Sequence, residues 1–174
     1  MNTSSKFVVS VHILTLLAGR RYIFGNKEGL NSEDIAKSVG TNAVVIRRLL
    51  SLLRAENIVD SKLGPNGGSY LCKDPSTIKL SQIYDIVEDG NLYHMHYSPP
   101  SEICPVGSHI QEDLCTLLTR AEESFKLVLE TKSLQDMING IMDKVEGFKG
   151  KTREELAREW NETLEAMNNK CSMS

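Results

Sequence analysis

The sequence predicts a mainly α-helical fold that contains one small β-hairpin. Apolar residues recur at helical spacing through most of the chain, whereas residues 57–72 contain two short strand patterns around a Gly-Pro-Asn-Gly-Gly turn. The chain has 174 residues, of which 40% are hydrophobic and 25% charged. These values are ordinary for a globular protein and leave room for one compact domain with an extended arm.

The first apolar run, residues 7–18, is predicted to form an amphipathic helix that ends by Gly19. His12 and Thr15 interrupt this run, no small-x-small cleavage site follows it, and it is too short to span a bilayer. We therefore interpret it as a core helix rather than a secretion signal, and expect a cytoplasmic protein.

Two short helices follow, joined by a tight turn at Gly40. Asn31 or Ser32 is expected to begin the first helix, and Thr41 or Asn42 the second, which runs to about residue 56. Two short helices joined in this way form a helix-turn-helix.

The second helix of this pair has two different faces. Its aliphatic face consists of Ile46, Leu49, Leu50 and Leu53, and the other face of Val44, Arg47, Arg48 and Ser51. A helix with an aliphatic back and two adjacent exposed arginines suits the major groove of DNA. From this helix alone, a solvated basic face is an equally good interpretation.

A β-hairpin is predicted directly after this helix, which is the order of elements in a winged helix-turn-helix. Its glycine-rich tip can approach a phosphate backbone because no Cβ is in the way. We expect a winged helix-turn-helix DNA-binding domain over residues 1–90, followed by a sensor loop over residues 91–108.

The second half of the chain predicts a long helix whose apolar stripe needs a partner. Dimerisation helices are expected over residues 109–145, because a second copy is the natural cover for a stripe that a small domain cannot bury. Residues 146–174 predict a C-terminal extension helix that packs through Trp160 onto the dimer, with a contact surface for another protein as the alternative.

Charge divides the chain into two unequal halves. Residues 1–73 contain 10 Lys and Arg against 5 Asp and Glu, whereas residues 74–174 contain 10 against 18. The front half therefore carries +5 and the back half −8. A basic front half is consistent with a polyanion as partner.

These motifs resemble the Rrf2 family of winged helix-turn-helix transcription regulators. The resemblance runs from Lys6 to about Val145, and its motifs are SEDIAKSVGTNAVVIRRLLSLLRAENIV (residues 32–59) and LGPNGGSYLCKDPSTIKLSQIYDIVE (residues 63–88). The segment CPVGSHIQ (residues 104–111) is most similar to the YwnA-like branch, which lacks an iron–sulfur cluster. The resemblance implies a homodimer that binds a near-palindromic operator in double-stranded DNA. We expect a repressor, with an activator as the alternative.

The resemblance also implies which side chains contact DNA. The expected base-edge residues are Asn42, Val44 and Arg47, and the expected phosphate contacts are Thr41 and Arg48.

In the wing, this chain has Leu63 where family members often have an arginine. Lys62, Asn66 and Gly67 are therefore the wing residues expected at the DNA.

Four cysteines, Cys72, Cys104, Cys115 and Cys171, match no zinc pattern or disulfide framework, and each is expected to be a small apolar filler. Several family members bind a cluster through three cysteines spaced about six residues apart, and from Cys104 these positions fall on Ile110 and Thr116. We expect no metal and no cofactor. A metal-dependent or iron–sulfur-dependent regulator of the same family is the alternative.

Cys104 is a candidate redox sensor. Pro105 is predicted at the first helical position, which would place Cys104 near a helix N-terminus and lower the pKa of its thiol. The alternatives are an inert cysteine, or a zinc site that combines Cys104 with His94, His96 and His109.

Two other functional classes are weaker. The winged fold could serve protein–protein contact without DNA, although the basic front half disfavours this. No phosphate loop, nucleophile–base arrangement or motif with paired carboxylates indicates an enzyme.

Overall fold

The structure is a computed structural model that describes residues 5–25, 28–64, 67–88, 97–145 and 150–171. Within these ranges the chain forms the helices and strands α1 (Lys6–Phe24), α2 (Ser32–Val39), α3 (Ala43–Ala55), β1 (Val59–Lys62), β2 (Gly68–Leu71), a 3-10 turn (Pro75–Thr77), α4 (Leu80–Val87), α5 (Gly107–Glu130), α6 (Leu134–Met142) and α7 (Arg153–Cys171). This is the mainly α-helical fold with one hairpin that the sequence predicts.

Local signals define the helix-turn-helix formed by α2 and α3. The Asn31 side chain accepts a hydrogen bond from the Asp34 backbone N–H at 2.8 Å and so caps α2. Gly40 ends α2 in the left-handed conformation, with φ 74°. Asn42 caps α3 by accepting a hydrogen bond from the Val44 N–H at 2.8 Å.

The hydrophobic core lies where α1, α2, α3, α4 and the hairpin meet. The completely buried side chains there include Leu14, Ile35, Ile46, Leu53 and Ile58, each 0% exposed. Because these side chains come from α1, α2, α3 and the segment before β1, one core holds the helix-turn-helix and the wing together.

The first helix is longer than the sequence predicts. It continues through Gly19 to Phe24, because Ile23 is buried in the next turn and the Arg21 guanidinium donates a hydrogen bond to the Lys73 carbonyl. A glycine inside a helix costs only about 1 kcal/mol relative to alanine, which tertiary contacts of this kind offset.

The wing is attached to the loop that precedes α2. β1 and β2 pair antiparallel from Val59–Leu71 to Lys62–Gly68, and Ser69 also exchanges two backbone hydrogen bonds with Leu30, at 2.8 and 2.9 Å. Gly68 adopts φ 125°, and a Cβ there would lie 2.4 Å from the Leu30 carbonyl carbon. Glycine is therefore required at this close approach.

The helices α6 and α7 pack on α1 of the same chain. Leu134 and Ile138 of α6 are 0% and 4% exposed, and the Leu134 N–H bonds the Ile78 carbonyl at 2.8 Å. α7 lies across α1 and α2 and contacts them through Leu156 and Trp160.

The long helix α5 differs, because none of its residues is buried. Its last turns contact α4, where the Phe125 and Tyr84 rings meet edge to face at 5.3 Å and Lys126 pairs with Asp85 at 2.9 Å. The preceding turns form an arm with exposed apolar side chains such as Leu117, which is 61% exposed.

The substitution Ile46→Val tests the packing of α3. Ile46 is 0% exposed, so loss of one methylene should lower the free energy of unfolding by about 1 kcal/mol in urea titrations followed by circular dichroism. The control Val45→Ala removes more atoms from an adjacent side chain that is 43% exposed, and should change stability less. A larger loss in the control would contradict the orientation of α3.

Candidate nucleic-acid interface

One face of α3 is exposed and basic, and the opposite face is buried. Its buried side chains are Ile46, Leu49, Leu50 and Leu53, and its exposed side chains include Val44, Arg47, Arg48 and Ser51. Val44 is 64% exposed although its side chain is aliphatic. This face is therefore available to an external partner.

The two residues before α3 have local structural roles. Asn42 is exposed, and its Oδ1 accepts the capping hydrogen bond from the Val44 N–H. Thr41 is partly buried, and its N–H donates to the Ala36 carbonyl at 3.0 Å. Whether either side chain contacts DNA stays a prediction.

Arg47 and Arg48 differ in their surroundings. The Arg47 Nε donates to the Ser32 Oγ at 3.1 Å, and its Nη2 pairs with the Glu33 carboxylate on α2. Arg48 is exposed and makes no side-chain hydrogen bond or ion pair with the described part of the chain. Arg47 is thus preoriented by α2, whereas Arg48 extends into solvent.

The ion pair at the start of α2 has an electrostatic consequence. Hydrogen bonds from the Glu33 N–H and the Ser32 hydroxyl, and then the charge of Arg47, hold the pKa of the Glu33 carboxyl below its usual value. Glu33 is therefore ionised at neutral pH and competes with any other anion for Arg47.

Lys62, Leu63 and Gly67 lie at the end of the wing where β1 and β2 are connected. Leu63 is fully exposed, and the Gly67 N–H donates to the Gly64 carbonyl at 2.8 Å, which closes the turn. Asn66, which the sequence predicts at the DNA, lies outside the described residues.

A contact that the sequence analysis missed joins α3 to the wing. The Arg54 Nη2 donates to the Ser61 Oγ at 2.9 Å, and its Nε lies 3.7 Å from the Asp60 Oδ1. In the sequence, only one signal indicates that Arg54 lies near the same face of α3: it follows Arg47 by seven positions.

Five apolar residues of α5 lie on one face at a heptad-like spacing. We define the α5 stripe as Ile110, Leu114, Leu117, Ala121 and Val128. Their spacings of four, three, four and seven residues place them on one face of the helix, as in a helix that pairs with another helix, although the intervening heptad position is Ser124. Ala121 is exposed, and Leu117 and Val128 are 61% and 66% exposed, whereas Ile110 and Leu114 are half-buried. The described chain therefore leaves most of the stripe uncovered.

Cys104 lies just before α5, in a turn rather than at the helix cap. The prediction that Pro105 is the first residue of the helix is wrong, because the cap residue is Val106 and the helix begins at Gly107. Hydrogen bonds from the Gly107 and Val106 backbone N–H groups nevertheless lower the pKa of the Cys104 thiol. At neutral pH, a larger fraction of this exposed thiol is therefore ionised than in a cysteine with an ordinary pKa.

The prediction of small apolar fillers is wrong for three of the cysteines. Cys72, Cys104 and Cys115 are free and exposed. The sequence contained apolar neighbours for each of them but no sign of the direction in which each thiol points.

A winged helix-turn-helix with an exposed basic helix defines the class of DNA-binding transcription regulators. This chain belongs to the Rrf2 family, whose model, described as "Iron-dependent Transcriptional regulator", matches residues 3–140. A relative in Bacillus subtilis (strain 168) is YwnA, named as a candidate HTH-type transcriptional regulator. It is 37% identical over 137 residues, which cover 78% of this chain and 96% of YwnA.

Solved structures agree with this family. One crystal structure, described as a candidate DNA-binding protein, is 33% identical, covers 77% of this chain and 99% of its own, and has a TM-score of 0.59. A candidate transcriptional regulator from Lactobacillus plantarum has a TM-score of 0.64 over 91% of this chain and 98% of its own. Its identity is 23%, so this likeness shows the fold alone.

The family description raises the question of iron, and the described residues do not fit it. Cys115 lies on α5, about 12 Å along the axis from the first residue of the helix, so it is far from Cys104. No group of three His, Cys, Asp or Glu side chains in the described ranges could hold a metal ion. His94 and His96 of the zinc alternative lie outside the described residues, and the His109 Nδ1 lies 2.8 Å from the Ser108 Oγ.

Proposed function

We propose that this DNA-binding regulator acts as a homodimeric repressor that recognises a near-palindromic operator. The observation that carries the proposal is the face of α3, where Val44, Arg47 and Arg48 are exposed over a completely buried Ile46. A rigid, aliphatic-backed helix with two arginines can enter the major groove without rearrangement of the core.

The residues of each protomer divide into base readers and phosphate contacts. Arg47, with Asn42 and Val44, would meet base edges, because arginine donates two parallel hydrogen bonds to the O6 and N7 of guanine. Thr41 and Arg48 would meet phosphates. To reach a base, Arg47 must exchange its Glu33 partner for the DNA.

The wing is proposed to contact the backbone beside an adjacent minor groove. Lys62 supplies the positive charge, Gly67 allows close approach, and Asn66 is the third expected contact. The bridge from Arg54 to β1 and the Leu30–Ser69 pairing hold the wing in a fixed orientation to α3.

We infer that the α5 stripe is the dimer interface. Two copies of α5 that pack along the stripe would extend the two winged domains from a common axis. Residues 1–90 would then form the DNA-binding domain and α5 the dimerisation helix. The expectation that residues 131–145 also serve dimerisation is wrong, because Leu134 and Ile138 of α6 are buried in the core of the same chain. A two-fold axis then places two copies of α3 in successive major grooves, about 34 Å apart.

The proposed site of action is the cytoplasm, and no catalytic role is proposed. One helix among the described residues, α1, has the length and apolar content of a membrane span. Its Ile13, Leu14 and Leu17 are 0–2% exposed within the protein core, which supports a core helix. Membership of a family of transcription regulators supports both assignments.

Fluorescence anisotropy with the DNA upstream of the gene, at several salt concentrations, tests the DNA-binding proposal. We expect nanomolar-range binding that weakens steeply as salt rises, because phosphate contacts release counterions. Binding that is absent at low salt, or that does not depend on salt, would contradict it.

The substitution Glu33→Gln should raise DNA affinity by about threefold to fivefold. The change removes a carboxylate that competes for Arg47 and repels phosphate, and exposed ion pairs have energies of this order. The control Glu56→Gln removes the same charge at the other end of α3, away from Arg47, and should have a smaller effect. Equal affinity gains in both variants would contradict a specific competition.

We further propose that Cys104 makes DNA binding sensitive to peroxide. The Cys104 thiolate would attack hydrogen peroxide, forming an S–O bond, breaking the O–O bond and releasing hydroxide, to leave a sulfenic acid. The backbone N–H groups that favour the thiolate belong to the turn that begins α5. Oxidation there would change the start of the arm and the separation of the two DNA-binding domains.

Stoichiometric peroxide should lower the DNA affinity of the wild-type protein by about fivefold, a typical coupling between two sites. Cys104→Ser should be insensitive to peroxide, whereas Cys115→Ser, which removes another exposed thiol, should respond as the wild type does. Equal losses of binding in the wild type and in Cys104→Ser would show that Cys104 is not the sensor.

A further inference from the structure

A cavity of about 280 Å³ lies between α7 and the first two helices. Its walls are mostly apolar, and they include Leu16 and Ile23 of α1 and Leu156 and Leu164 of α7. The volume is close to the lower end of the ~300–1,000 Å³ range of small-molecule sites. α7 lies beyond the residues that match the Rrf2 family, so this cavity is formed in part by a helix outside the family region.

The charged groups at this cavity balance one another. The Asp34 carboxylate of α2 lies 3.8 Å from the Lys37 Nζ, and Glu159 of α7 is exposed and pairs with Lys151. Neither carboxylate is therefore left to attract a cation. Because the apolar walls would also remove water from any ion, the cavity is better suited to an uncharged ligand.

The buried polar atoms without a partner in this region are hydrogen-bond donors. Trp160 lines the cavity, and its indole N–H is buried with no acceptor in the described part of the chain. The Nε and Nη1 of Arg20 are also buried without an acceptor there, whereas its Nη2 pairs with Glu28 at 3.0 Å. Arg20 lies on α1 between Leu16 and Ile23, on the same face of the helix. Because Glu28 balances the charge of Arg20, the region supplies N–H donors without a net positive charge.

We propose that this cavity binds a small uncharged aromatic compound with one hydrogen-bond acceptor, such as an aromatic ketone, and that this ligand controls DNA binding. The apolar walls cover the ring of the ligand. Its oxygen accepts a hydrogen bond from the Trp160 indole N–H, with the Arg20 N–H groups as further donors nearby. A buried donor without an acceptor is unfavourable, so the ligand oxygen supplies a contact that the described chain lacks.

The control of DNA binding rests on the proposed function and follows from the position of α2. Asp34 and Ser38 lie on the same helix as Ser32 and Glu33, which hold Arg47. A ligand that contacts α2 can therefore alter how α3 is held. Its effect on DNA affinity equals the difference between its affinities for the free and the DNA-bound protein.

Four probes of nearly the same size separate the alternatives. Acetophenone is uncharged and has an acceptor, isopropylbenzene is uncharged and has none, benzoate is an anion, and benzamidinium is a cation. Each is titrated into the full-length protein and followed by the indole peak of the ¹H–¹⁵N correlation spectrum. Trp160 is the only tryptophan of the chain, so this peak reports directly on the cavity.

We expect a saturable downfield shift of the indole proton with acetophenone, because the N–H gains an acceptor. Isopropylbenzene should bind at least about fivefold more weakly and give no downfield shift. Benzoate and benzamidinium should each bind at least about tenfold more weakly than acetophenone. No saturable shift with acetophenone, equal binding of isopropylbenzene, or tighter binding of either ion would overturn the proposal.

Variants at two positions locate the ligand. Leu164→Phe fills the cavity and should weaken acetophenone binding by about tenfold or more, whereas Leu164→Met, which conserves volume, should retain it. Trp160→Phe keeps an aromatic ring without the donor, and should bind acetophenone and isopropylbenzene equally in ligand-observed spectra. Unchanged binding in Leu164→Phe would overturn the assignment of the cavity, and an unchanged preference in Trp160→Phe would overturn the role of the indole N–H.

The effect on DNA is measured separately, by anisotropy with and without saturating acetophenone. We expect a change of about fivefold or more in DNA affinity. Saturable binding at Trp160 without such a change would overturn the regulatory role of the ligand. Because the titrations of the indole peak contain no DNA, failure of the proposed DNA function does not affect the test of the ligand site.

Discussion

Replacement of both Leu117 and Val128 by glutamate should leave the chain monomeric and weaken operator binding by about 100-fold or more. Both side chains belong to the α5 stripe and are 61% and 66% exposed in the isolated chain. Glutamate at both positions would place like charges opposite each other across the two-fold axis of the arm. A monomer binds only one half-site, and loss of the second linked contact costs about 10²–10⁴ in overall affinity.

Sedimentation velocity measures the oligomeric state, and anisotropy of the same samples measures DNA affinity. Because no residue of α5 is buried, the variant should keep its fold and its thermal transition. Thr119→Glu, on the opposite face of α5, is the matched control and should remain dimeric. A double variant that stays dimeric with unchanged DNA affinity would contradict the assignment of the stripe.

Arg47→Ala should relax sequence preference, whereas Arg48→Ala should weaken binding to all sequences alike. A bidentate arginine–guanine contact contributes about 1–3 kcal/mol of discrimination per half-site. Arg47 is held by Ser32 and Glu33 toward the start of the exposed face of α3, near Val44. Arg48 has no such orientation within the described chain, which suits contact with a phosphate.

Anisotropy with operator and scrambled duplexes at several salt concentrations distinguishes the two arginines. For Arg47→Ala, we expect the ratio of operator to scrambled affinity to fall by at least about tenfold. For Arg48→Ala, the ratio should stay constant while the salt slope decreases by about one for each protomer. Small and equal effects of both substitutions would contradict the groove assignment.

The helix-turn-helix was predictable because its signals are local. Asn31 and Asn42 cap their helices through hydrogen bonds within three residues, and Gly40 ends α2 through its own left-handed conformation. The aliphatic and basic faces of α3 also follow from spacing alone, because a helix of 13 residues displays its periodicity clearly.

The features that the sequence did not predict depend on contacts between distant residues. The extension of α1 past Gly19 depends on burial of Ile23, and the pairing of Arg47 depends on Glu33 of the preceding helix. The cavity depends on how α7 packs against α1 and α2. Periodicity predicts which face of α7 is apolar, but not which surface it covers.

Selection of bound sequences from a randomised pool of duplex DNA tests the central claim most directly. We predict enrichment of one two-fold symmetric motif whose half-sites are centred about 10 base pairs apart, one helical turn or a multiple of it. Absence of any enriched motif, or a motif with a single unrepeated half-site, would contradict a dimer that reads DNA through two copies of α3.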